Sequence, residues 1–202
     1  KLLAGEATTV ENPKAKAATG DVSAAIAKPA TVAAKTNAPS LQDALWAAQD
    51  GKPVDIGGWE KTGGQLGSNN GSQMTGPDGT KYYVKFSGVQ QAQNEVLAGK
   101  LYQATGSQTP TTFLVTRDGQ TGLASVWDHG TKDVDFNNPA HMESVQKDFA
   151  THAWLANWDA AGMSFDNTKI DSSGNGTTVD VGGSMKYRAQ GVSKGDAWND
   201  AA

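Results

Sequence analysis

The sequence predicts an α+β fold, in which a small antiparallel N-terminal sheet carries one helix and a short helical lobe follows. Two turns containing Asp-Gly, at 76–79 and 117–120, each separate two strand-like segments. Such turns mark β-hairpins, because Asp-Gly readily takes the positive φ angles that tight hairpins need. Between the hairpins, residues 91–104 have the apolar spacing of a helix, and a longer helix is predicted over 139–158. These observations together predict the α+β fold.

The chain divides into four segments by composition. Residues 1–40 are rich in Ala, Lys and Thr, contain no aromatic residue and are predicted to be a low-complexity arm or linker. Residues 41–56 are predicted to form a short helix, capped by Ser40, and a connector. The main domain is predicted over 57–191, and residues 192–202 are predicted to be a polar tail.

Strands of the main domain are predicted from short runs of β-branched and aromatic residues bounded by turn residues. Four of them lie at 72–74, 81–86, 111–116 and 121–127. Two more are predicted at 168–170 and 177–179, on either side of a turn that is rich in Asp, Ser, Asn and Gly.

The two helices of this domain have apolar stripes. In the helix over 91–104, Val96, Leu97 and Leu101 share one stripe, which we expect to be buried. The helix over 139–158 begins with Pro139, a residue that suits a first helical turn. Trp154 and Trp158 lie four positions apart on it and are predicted to form core.

Composition excludes several classes of function. The chain contains no cysteine, which excludes disulfides, thiolate metal sites and a catalytic thiol. A formal net charge of -4 disfavours a nucleic-acid-binding protein. No apolar run approaches the ~18 residues of a membrane-spanning helix, so no membrane partner is expected. The three histidines are not spaced as a metal site.

Several polar residues follow one another in an order that suits phosphoryl transfer. A glycine-rich turn precedes the strand lysine Lys85 and the helix glutamate Glu95, and Asp159, Asn167 and Asp180 come later. Phosphoryl transfer needs backbone N–H groups over the phosphates and a lysine held by a glutamate. It also needs a carboxylate that orients the attacking hydroxyl, and an Asn and an Asp that hold Mg²⁺. The turn lacks Gly-Lys-Ser/Thr, so a P-loop is excluded.

Each of these residues also has an ordinary structural interpretation. A strand lysine beside tyrosines commonly lies on a solvated strand face, and Glu95 taken alone is a helix-surface residue. Asp159 follows a helix, where the helix dipole disfavours a carboxylate, and this placement favours a functional role. A simple turn accounts for Asp180, which precedes two glycines, equally well. The order of the set is harder to explain by chance than any member.

The segment from Gly63 to Gly191 resembles the atypical kinase-like fold of HipA-type kinases and phosphoinositide-kinase-like proteins. It resembles most closely the short kinase-like domains of tailed-phage head or virion proteins and of some bacterial effectors. The resemblance is carried by Gly63-Gly64-Gln65-Leu66-Gly67-Ser68, Tyr83-Val84-Lys85-Phe86, Asn94-Glu95-Val96-Leu97-Ala98, Ala153-Trp154-Leu155-Ala156-Asn157-Trp158-Asp159, Asp166-Asn167, Asp180-Val181-Gly182-Gly183 and Tyr187-Arg188-Ala189.

The resemblance implies a role for each of these residues. Lys85, paired with Glu95, would contact the phosphates of ATP, and Asp159 would be the catalytic base or the residue that positions the substrate hydroxyl. Asn167 and Asp180 would bind Mg²⁺. The nucleotide would be bound by Gly63, Gly64, Leu66, Gly67, Val84 and Lys85, with residues 124–128 as the hinge near adenine.

The function implied by the resemblance is ATP- and Mg²⁺-dependent phosphotransfer to a protein hydroxyl. The sequence departs from the kinase pattern, because Asn167 lies eight positions after Asp159 rather than five and no His-Arg-Asp string precedes the loop. Only 22 residues follow Asp180, so a truncated helical lobe is expected. The alternative is a non-catalytic structural or assembly component of a phage virion. Expected partners are a protein substrate or neighbouring virion subunits, in a virion or a host cytoplasm.

Overall fold

The structure is a computed structural model that describes residues 50–66, 70–162 and 165–196. The predicted arm, the predicted helix after Ser40, Gly67 and the end of the predicted tail lie outside the described residues. None of the helices within these ranges is both long and apolar enough to span a bilayer.

Six strands of the described residues form one mixed sheet. These strands are β1 Val54–Asp55, β2 Glu60–Lys61, β3 Gly71–Thr75, β4 Lys81–Lys85, β5 Thr112–Arg117 and β6 Gln120–Val126. Their order in the sheet is β1-β5-β6-β4-β3-β2. The four predicted strands of this region are confirmed, and they pair antiparallel as expected. The sheet as a whole is mixed, because β1 runs parallel to β5.

The second Asp-Gly turn has the backbone that its sequence predicts. Asp118 and Gly119 both have positive φ angles, 52° and 76°, between β5 and β6. This is the hairpin geometry whose twist matches that of the flanking strands. The turn keeps β5 and β6 paired from Arg117 opposite Gln120 up to Thr112 opposite Ser125.

The two faces of the sheet pack differently. One face carries the largest apolar core, whose buried members are Val54, Ile56, Trp59, Met74, Tyr82, Val84, Phe113, Val115 and Ala124. On the other face lies the helix α1, Val89–Ala104, which buries Ala92 and Val96 against Leu114 and Leu123. The prediction that Leu97 is buried was wrong, because its side chain is 51% exposed. The face of α1 that packs on the sheet is formed by Ala92 and Val96 instead.

The remainder of the described chain forms a small sheet and short helices. The strands β7 Lys132–Asp133, β8 Thr168–Ile170 and β9 Gly176–Thr178 pair antiparallel in that order. The predicted strands near 168–170 and 177–179 are therefore present. The helices are α2, Pro139–Gln146, and α3, Phe149–Trp154, and a 3-10 turn follows at Ala189–Gly191.

The predicted single helix over 139–158 is two helices. Its start was correct, since Asn138 accepts a hydrogen bond from the Ala140 N–H and Pro139 occupies the first turn. Tertiary contact fixes the direction of α2: the Gly176 N–H of β9 donates to Ser144 Oγ at 2.6 Å. A Cβ on Gly176 would come within 3.0 Å of the α2 backbone, so the strand packs directly on the helix.

The predicted burial of Trp154 and Trp158 was wrong, because they are 58% and 51% exposed. Once the helix ends at Trp154, the two tryptophans no longer share a helical face. Leu155 takes the core position instead, in a cluster with Ala98, Tyr102, Val181 and Met185. This second cluster joins the C-terminal half of α1 to the loops after α3 and β9.

Candidate functional site

The side chain of Lys85 lies between two carboxylates that come from distant parts of the chain. Its Nζ is 2.9 Å from Glu95 Oε1 and 2.8 Å from Asp180 Oδ2. The side chains of Lys85 and Glu95 are each 8% exposed, while that of Asp180 is 32% exposed. The group is therefore buried on its Glu95 side and open on its Asp180 side.

Three elements position this group. Alternation along β4 places Lys85 on the α1 face and Val84 on the opposite face. The helix α1 approaches the sheet closely, because Gly99 leaves no room for a Cβ: one would lie 2.8 Å from Thr112 Oγ1. That approach brings Glu95 to Lys85. Asp180 follows β9, and its Oδ1 accepts the Gly182 N–H at 2.9 Å, which holds the carboxylate toward the lysine.

Burial and charge act in opposite directions on this group. Burial alone lowers the pKa of Lys85, but the two carboxylates outweigh it and raise that pKa above its usual value. Burial raises the pKa of Glu95 to about 7; Lys85 opposes this rise and the charge of Asp180 adds to it. The single ammonium of Lys85 thus forms ion pairs with two carboxylates. Glu95 is the more buried of the two, and burial disfavours its charged form.

The loop that carries Asp159 begins at a left-handed residue at the end of α3. Ala156 has a φ of 47°, and the Asn157 N–H returns to the His152 carbonyl at 2.8 Å, which completes a Schellman-type helix end. Asn157 then orients the loop, since its Oδ1 accepts the Asp159 N–H at 3.1 Å. The turn after α3 therefore directs Asp159 away from the helix axis.

A buried polar chain anchors this loop to α1. Asn157 Nδ2 donates to the Tyr102 hydroxyl at 2.9 Å, and that hydroxyl lies 2.7 Å from His152 Nδ1. The hydroxyl accepts from the amide, and it donates to Nδ1 in the histidine tautomer that carries its proton on Nε2. Burial also lowers the pKa of His152, in agreement with this arrangement. His152 is therefore packed against Tyr102.

Asn167 links the Asp159 loop to the strand before Asp180. The β8–β9 ladder continues to Asn167, whose carbonyl accepts the Val179 N–H at 2.9 Å. The side-chain amide of Asn167 donates to the Asp159 carbonyl at 2.7 Å. The eight-residue separation between Asp159 and Asn167 therefore still brings the two residues into contact.

The loops of Asp159 and Asp180 touch one another. A Cβ on Gly183 would lie 2.7 Å from the Asp159 Cβ and 2.9 Å from Asn157 Oδ1. Burial, and then the charge of Asp180, raise the pKa of Asp159, while its hydrogen bond with Asn167 opposes the rise. A carboxylate with a raised pKa, beside a second carboxylate, is a suitable proton acceptor.

The residues predicted to bind Mg²⁺ have the chemistry that this ion prefers. Asp180 offers a carboxylate and Asn167 an amide carbonyl oxygen, and Mg²⁺ is bound by few such oxygens together with phosphate and water. The Asn167 nitrogen is the atom that bonds the Asp159 carbonyl, which leaves its oxygen for a cation. In the part of the chain described here, no three His, Asp or Glu side chains group into a metal site of their own.

The glycine-rich segment is held against β4 by Tyr83. The Tyr83 hydroxyl donates to the Leu66 carbonyl at 2.6 Å and accepts the Leu66 N–H at 2.7 Å. Gly63 packs on Gln73 of β3, where a Cβ would lie 2.7 Å from that side chain, whereas a Cβ on Gly64 would meet nothing within 4 Å. The segment therefore lies close to the strand that carries Lys85.

The assignment of Val84 to the nucleotide site needs correction. Val84 is fully buried in the core on the face of β4 opposite Lys85, so its side chain cannot line the same side as that lysine. Tyr83 lies on the Lys85 side and was missed. Strand alternation contains the signal, since Tyr83 is two residues from Lys85. The residues predicted as the hinge also lie on both faces of the sheet. Ala124 is in the core, on the Val84 face, and Ser125 is paired with Tyr83.

An apolar cavity of about 450 Å³ lies beside the Asp159 loop, away from Lys85. Its lining comes from α2, α3 and the residues on both sides of Asp159, and includes Phe136, Phe149, Ala156, Trp158 and Phe165. Phe136 and Phe165 contact edge to face, with ring centroids 4.7 Å apart. Lys85, Glu95 and Asp180 do not line this cavity.

Comparison with known proteins supports a kinase-like fold. No protein-family model and no curated protein sequence matches the chain. Among solved structures, the Helicobacter pylori proinflammatory kinase CtkA matches with a TM-score of 0.52 and 16% identity, over 68% of this chain and 62% of that one. The chain thus spans less than two thirds of that kinase. At this identity the likeness shows the fold alone. The expected α+β, kinase-like fold is therefore supported, whereas a special closeness to phage proteins is not.

Proposed function

We propose that this chain is an ATP- and Mg²⁺-dependent phosphotransferase that acts on a protein hydroxyl. The observation that carries the proposal is the buried Lys85 ammonium between Glu95 and Asp180, which come from α1 and from the loop after β9. Burial of the Lys85 and Glu95 charges costs stability, and perturbed groups of this kind concentrate at functional sites. The kinase-like fold makes phosphoryl transfer the chemistry to test first.

In this proposal each side chain of the site has a defined role in phosphoryl transfer. Lys85 binds the ATP phosphates, and Glu95, which contacts it at 2.9 Å, keeps its amine in place. Asp159 orients the attacking hydroxyl and accepts its proton, a task that its raised pKa favours. The backbone of Gly63 and Gly64, with Leu66, covers the nucleotide, and Tyr83 sets the position of that segment.

Asp180 and Asn167 are the residues that would hold Mg²⁺. The ion, when bound, would neutralise charge on the phosphate oxygens. Asp180 also contacts Lys85 and the Gly182 N–H. Because the ion would offset the repulsion between the Asp180 carboxylate and the phosphate oxygens, we expect nucleotide binding to depend on Mg²⁺.

The alternative proposal is a non-catalytic structural or assembly component, such as one of a phage virion, built on the same fold. Two observations favour it. Lys85 and Asp180 form an ion pair, and the Tyr83 hydroxyl bonds the backbone of the glycine-rich segment. Such an ion pair is also expected of a kinase-like protein that has no nucleotide to bind. Its partners would be neighbouring subunits rather than a substrate.

Calorimetric titration with ATP, with and without Mg²⁺, tests the nucleotide site. We expect saturable binding that requires Mg²⁺ and that Lys85→Met and Asp180→Asn abolish. Lys81→Met is the matched lysine control, because Lys81 is exposed on the same strand. Asp118→Asn is the control for the aspartate, since the Asp118 side chain is 90% exposed. Failure of the folded wild-type protein to bind ATP would refute the proposal and favour the structural alternative.

Transfer of labelled γ-phosphate tests the chemical step. With casein as a generic acceptor, and with the chain itself, we expect incorporation by the wild type. Asp159→Asn should bind ATP almost normally but lose transfer by about 100-fold or more, because general-base catalysis typically contributes 10²–10⁴-fold. Equal loss of ATP binding and of transfer in Asp159→Asn would contradict the role assigned to Asp159.

A further inference from the structure

Lys194 reaches back from the C-terminal part of the described chain into the gap between the two aspartate loops. Its side chain is buried, at 5% exposure, although composition predicted a polar tail here. Its Nζ donates to the carbonyl of Ala156 and, at 2.9 Å, to the carbonyl of Gly183. Ala156 lies three residues before Asp159, and Gly183 lies three residues after Asp180. One ammonium group thus joins the backbones of both loops.

The position of Lys194 is set by a small hairpin. The Lys194 N–H donates to the Lys186 carbonyl at 2.8 Å, and Tyr187 forms an isolated bridge with Ser193. The chain therefore turns back after the Asp180 loop and returns Lys194 to it. The Met185 N–H, at the start of this hairpin, bonds the Leu155 carbonyl at 2.7 Å, so the hairpin contacts the end of α3 as well.

The surroundings of Lys194 favour a cation that holds two loops together. Two carbonyl oxygens accept hydrogen bonds from its ammonium group. Its Nζ also lies 4.8 Å from the centroid of the Trp158 ring, a cation–π distance. Burial lowers the pKa of this amine to about 8, which shows that its charge is desolvated. Hydrogen bonds from a charged, desolvated donor are stronger than neutral ones.

The backbone at this junction needs such a restraint. Ala156 has a φ of 47°, a left-handed conformation that is unfavourable for residues with a Cβ. Met185, on the other side of the junction, has a φ of 52°. Lys194 bonds the Ala156 carbonyl, and the Met185 N–H bonds the Leu155 carbonyl. Strained conformations persist only where their surroundings fix them, and Lys194 supplies part of that fixation at Ala156.

We propose that Lys194 is a positioning residue, which sets the geometry of Asp159 relative to Asp180 by bridging the carbonyls of Ala156 and Gly183. This role rests on the proposed phosphotransfer, for which the proton acceptor and the metal-binding carboxylate must be held in a fixed relation. The two hydrogen bonds of Lys194 on which this role depends are made to backbone carbonyls. Its effect is transmitted through the two backbones that it joins.

Amide hydrogen exchange tests the bridge independently of activity. In Lys194→Met, which keeps the length of the side chain but removes its donors, we expect the amides of Asp159 and Met185 to exchange about tenfold faster or more. The amide of Ile56, which bonds the Thr116 carbonyl in the main sheet, should exchange at the wild-type rate. Lys186→Met is the matched control, because Lys186 lies in the same hairpin with an exposed side chain.

The kinetic arm separates positioning from general destabilisation. We expect Lys194→Met to lower kcat about tenfold while the KM for ATP changes less than about threefold, and Lys194→Arg to restore part of kcat. Exchange at Asp159 and Met185 that equals the wild-type rate in Lys194→Met would overturn the bridge, whatever the activity. A uniform rise that includes Ile56 would also overturn it, as simple loss of stability. Absence of transfer by the wild type would instead refute the proposed function.

Discussion

At the scale of single residues, Lys85 and its two carboxylates carry the electrostatics of the candidate site. The side chains of Glu95 and Lys85 are each 8% exposed, and that of Asp180 is 32% exposed. A buried carboxylate whose only close cation is shared gains less than a full ion pair. This explains why burial outweighs the attraction of Lys85 and leaves the pKa of Glu95 raised.

The raised pKa of Glu95 predicts a pH dependence of stability. The pKa is about 7 in the folded protein, against 4.5 for a glutamate free of such surroundings. Between these values the folded state holds a proton that the unfolded state has released. Raising the pH from 4.5 to 7 therefore lowers the free energy of unfolding, by up to about 3 kcal/mol from this group.

Urea unfolding at pH 5 and pH 7 measures this effect. Glu95→Gln cannot titrate and should lose this component of the pH dependence, while the components from other groups stay. The difference between the two proteins isolates Glu95, because His152 and Asp159 titrate in both. Equal changes of stability with pH in wild type and Glu95→Gln would show that Glu95 is ionised in the folded state throughout the window.

Tyr83 makes a second prediction at this scale. Tyr83→Phe keeps the ring but removes both hydrogen bonds to the backbone of Leu66. We expect the Leu66 amide to exchange about fivefold to tenfold faster, since a typical hydrogen bond contributes about 1 kcal/mol. Tyr187→Phe is the control, because it removes a hydroxyl from a partly exposed tyrosine elsewhere. Unchanged protection of Leu66 would show that the segment is held by other contacts.

At the scale of elements, the candidate site depends on how closely the loops after α3 and β9 approach. The loops come into contact at Gly183, which leaves room for Asp159 and Asn157. The side chain of Asn167 ties the same loop to β8. Glycine at this position is thus required by space rather than by backbone conformation.

Gly183→Ala tests that approach. The added Cβ would lie 2.7 Å from the Asp159 Cβ, so the two loops must separate. We expect phosphotransfer to fall by about 10-fold to 100-fold while ATP binding persists, because small displacements of a catalytic group are costly. Gly58→Ala is the matched control, since a Cβ on Gly58 would meet nothing within 4 Å. Full activity in Gly183→Ala would show that the loops yield without effect on the chemistry.

At the scale of the whole described domain, the main sheet is the foundation on which the site is built. Its larger core lies on the face opposite Lys85, and α1 covers the other face. The first strand, β1, precedes residue 57, where the sequence placed the start of the domain, and pairs parallel with β5. Ile56 follows β1 and is fully buried in the larger core.

Ile56→Ala tests whether the residues before 57 belong to the folded unit. Removal of a fully buried isoleucine side chain should lower the free energy of unfolding by about 2–5 kcal/mol. Leu97→Ala is the control, because Leu97 is 51% exposed, and we expect a loss of less than about 1 kcal/mol. Chemical unfolding of both variants measures the difference. A small effect of Ile56→Ala would mean that β1 contributes little to the stability of the sheet.

Local sequence signals predicted the elements that do not depend on distant contacts. The hairpin at Asp118 and Gly119, the strand that carries Lys85 and the start of α2 at Pro139 follow from turn chemistry, strand alternation and capping. The break between α2 and α3 could not be predicted, because it depends on the packing of β9 against α2. The two-residue strands β1, β2 and β7 were missed, since so few residues give no periodic pattern.

The sequence by itself determined which groups are available for chemistry. It supplied Lys85, Glu95, Asp159, Asn167 and Asp180 in order and excluded thiol chemistry, because these facts depend only on residue type and position. The tertiary structure alone decided which groups meet. In the structure Lys85 contacts Asp180, 95 positions later in the chain, and Val84 lies on the face of the sheet opposite Lys85. Lys194 lies between the loops of Asp159 and Asp180. Contacts between distant residues depend on how elements pack, and local patterns carry no information about that packing.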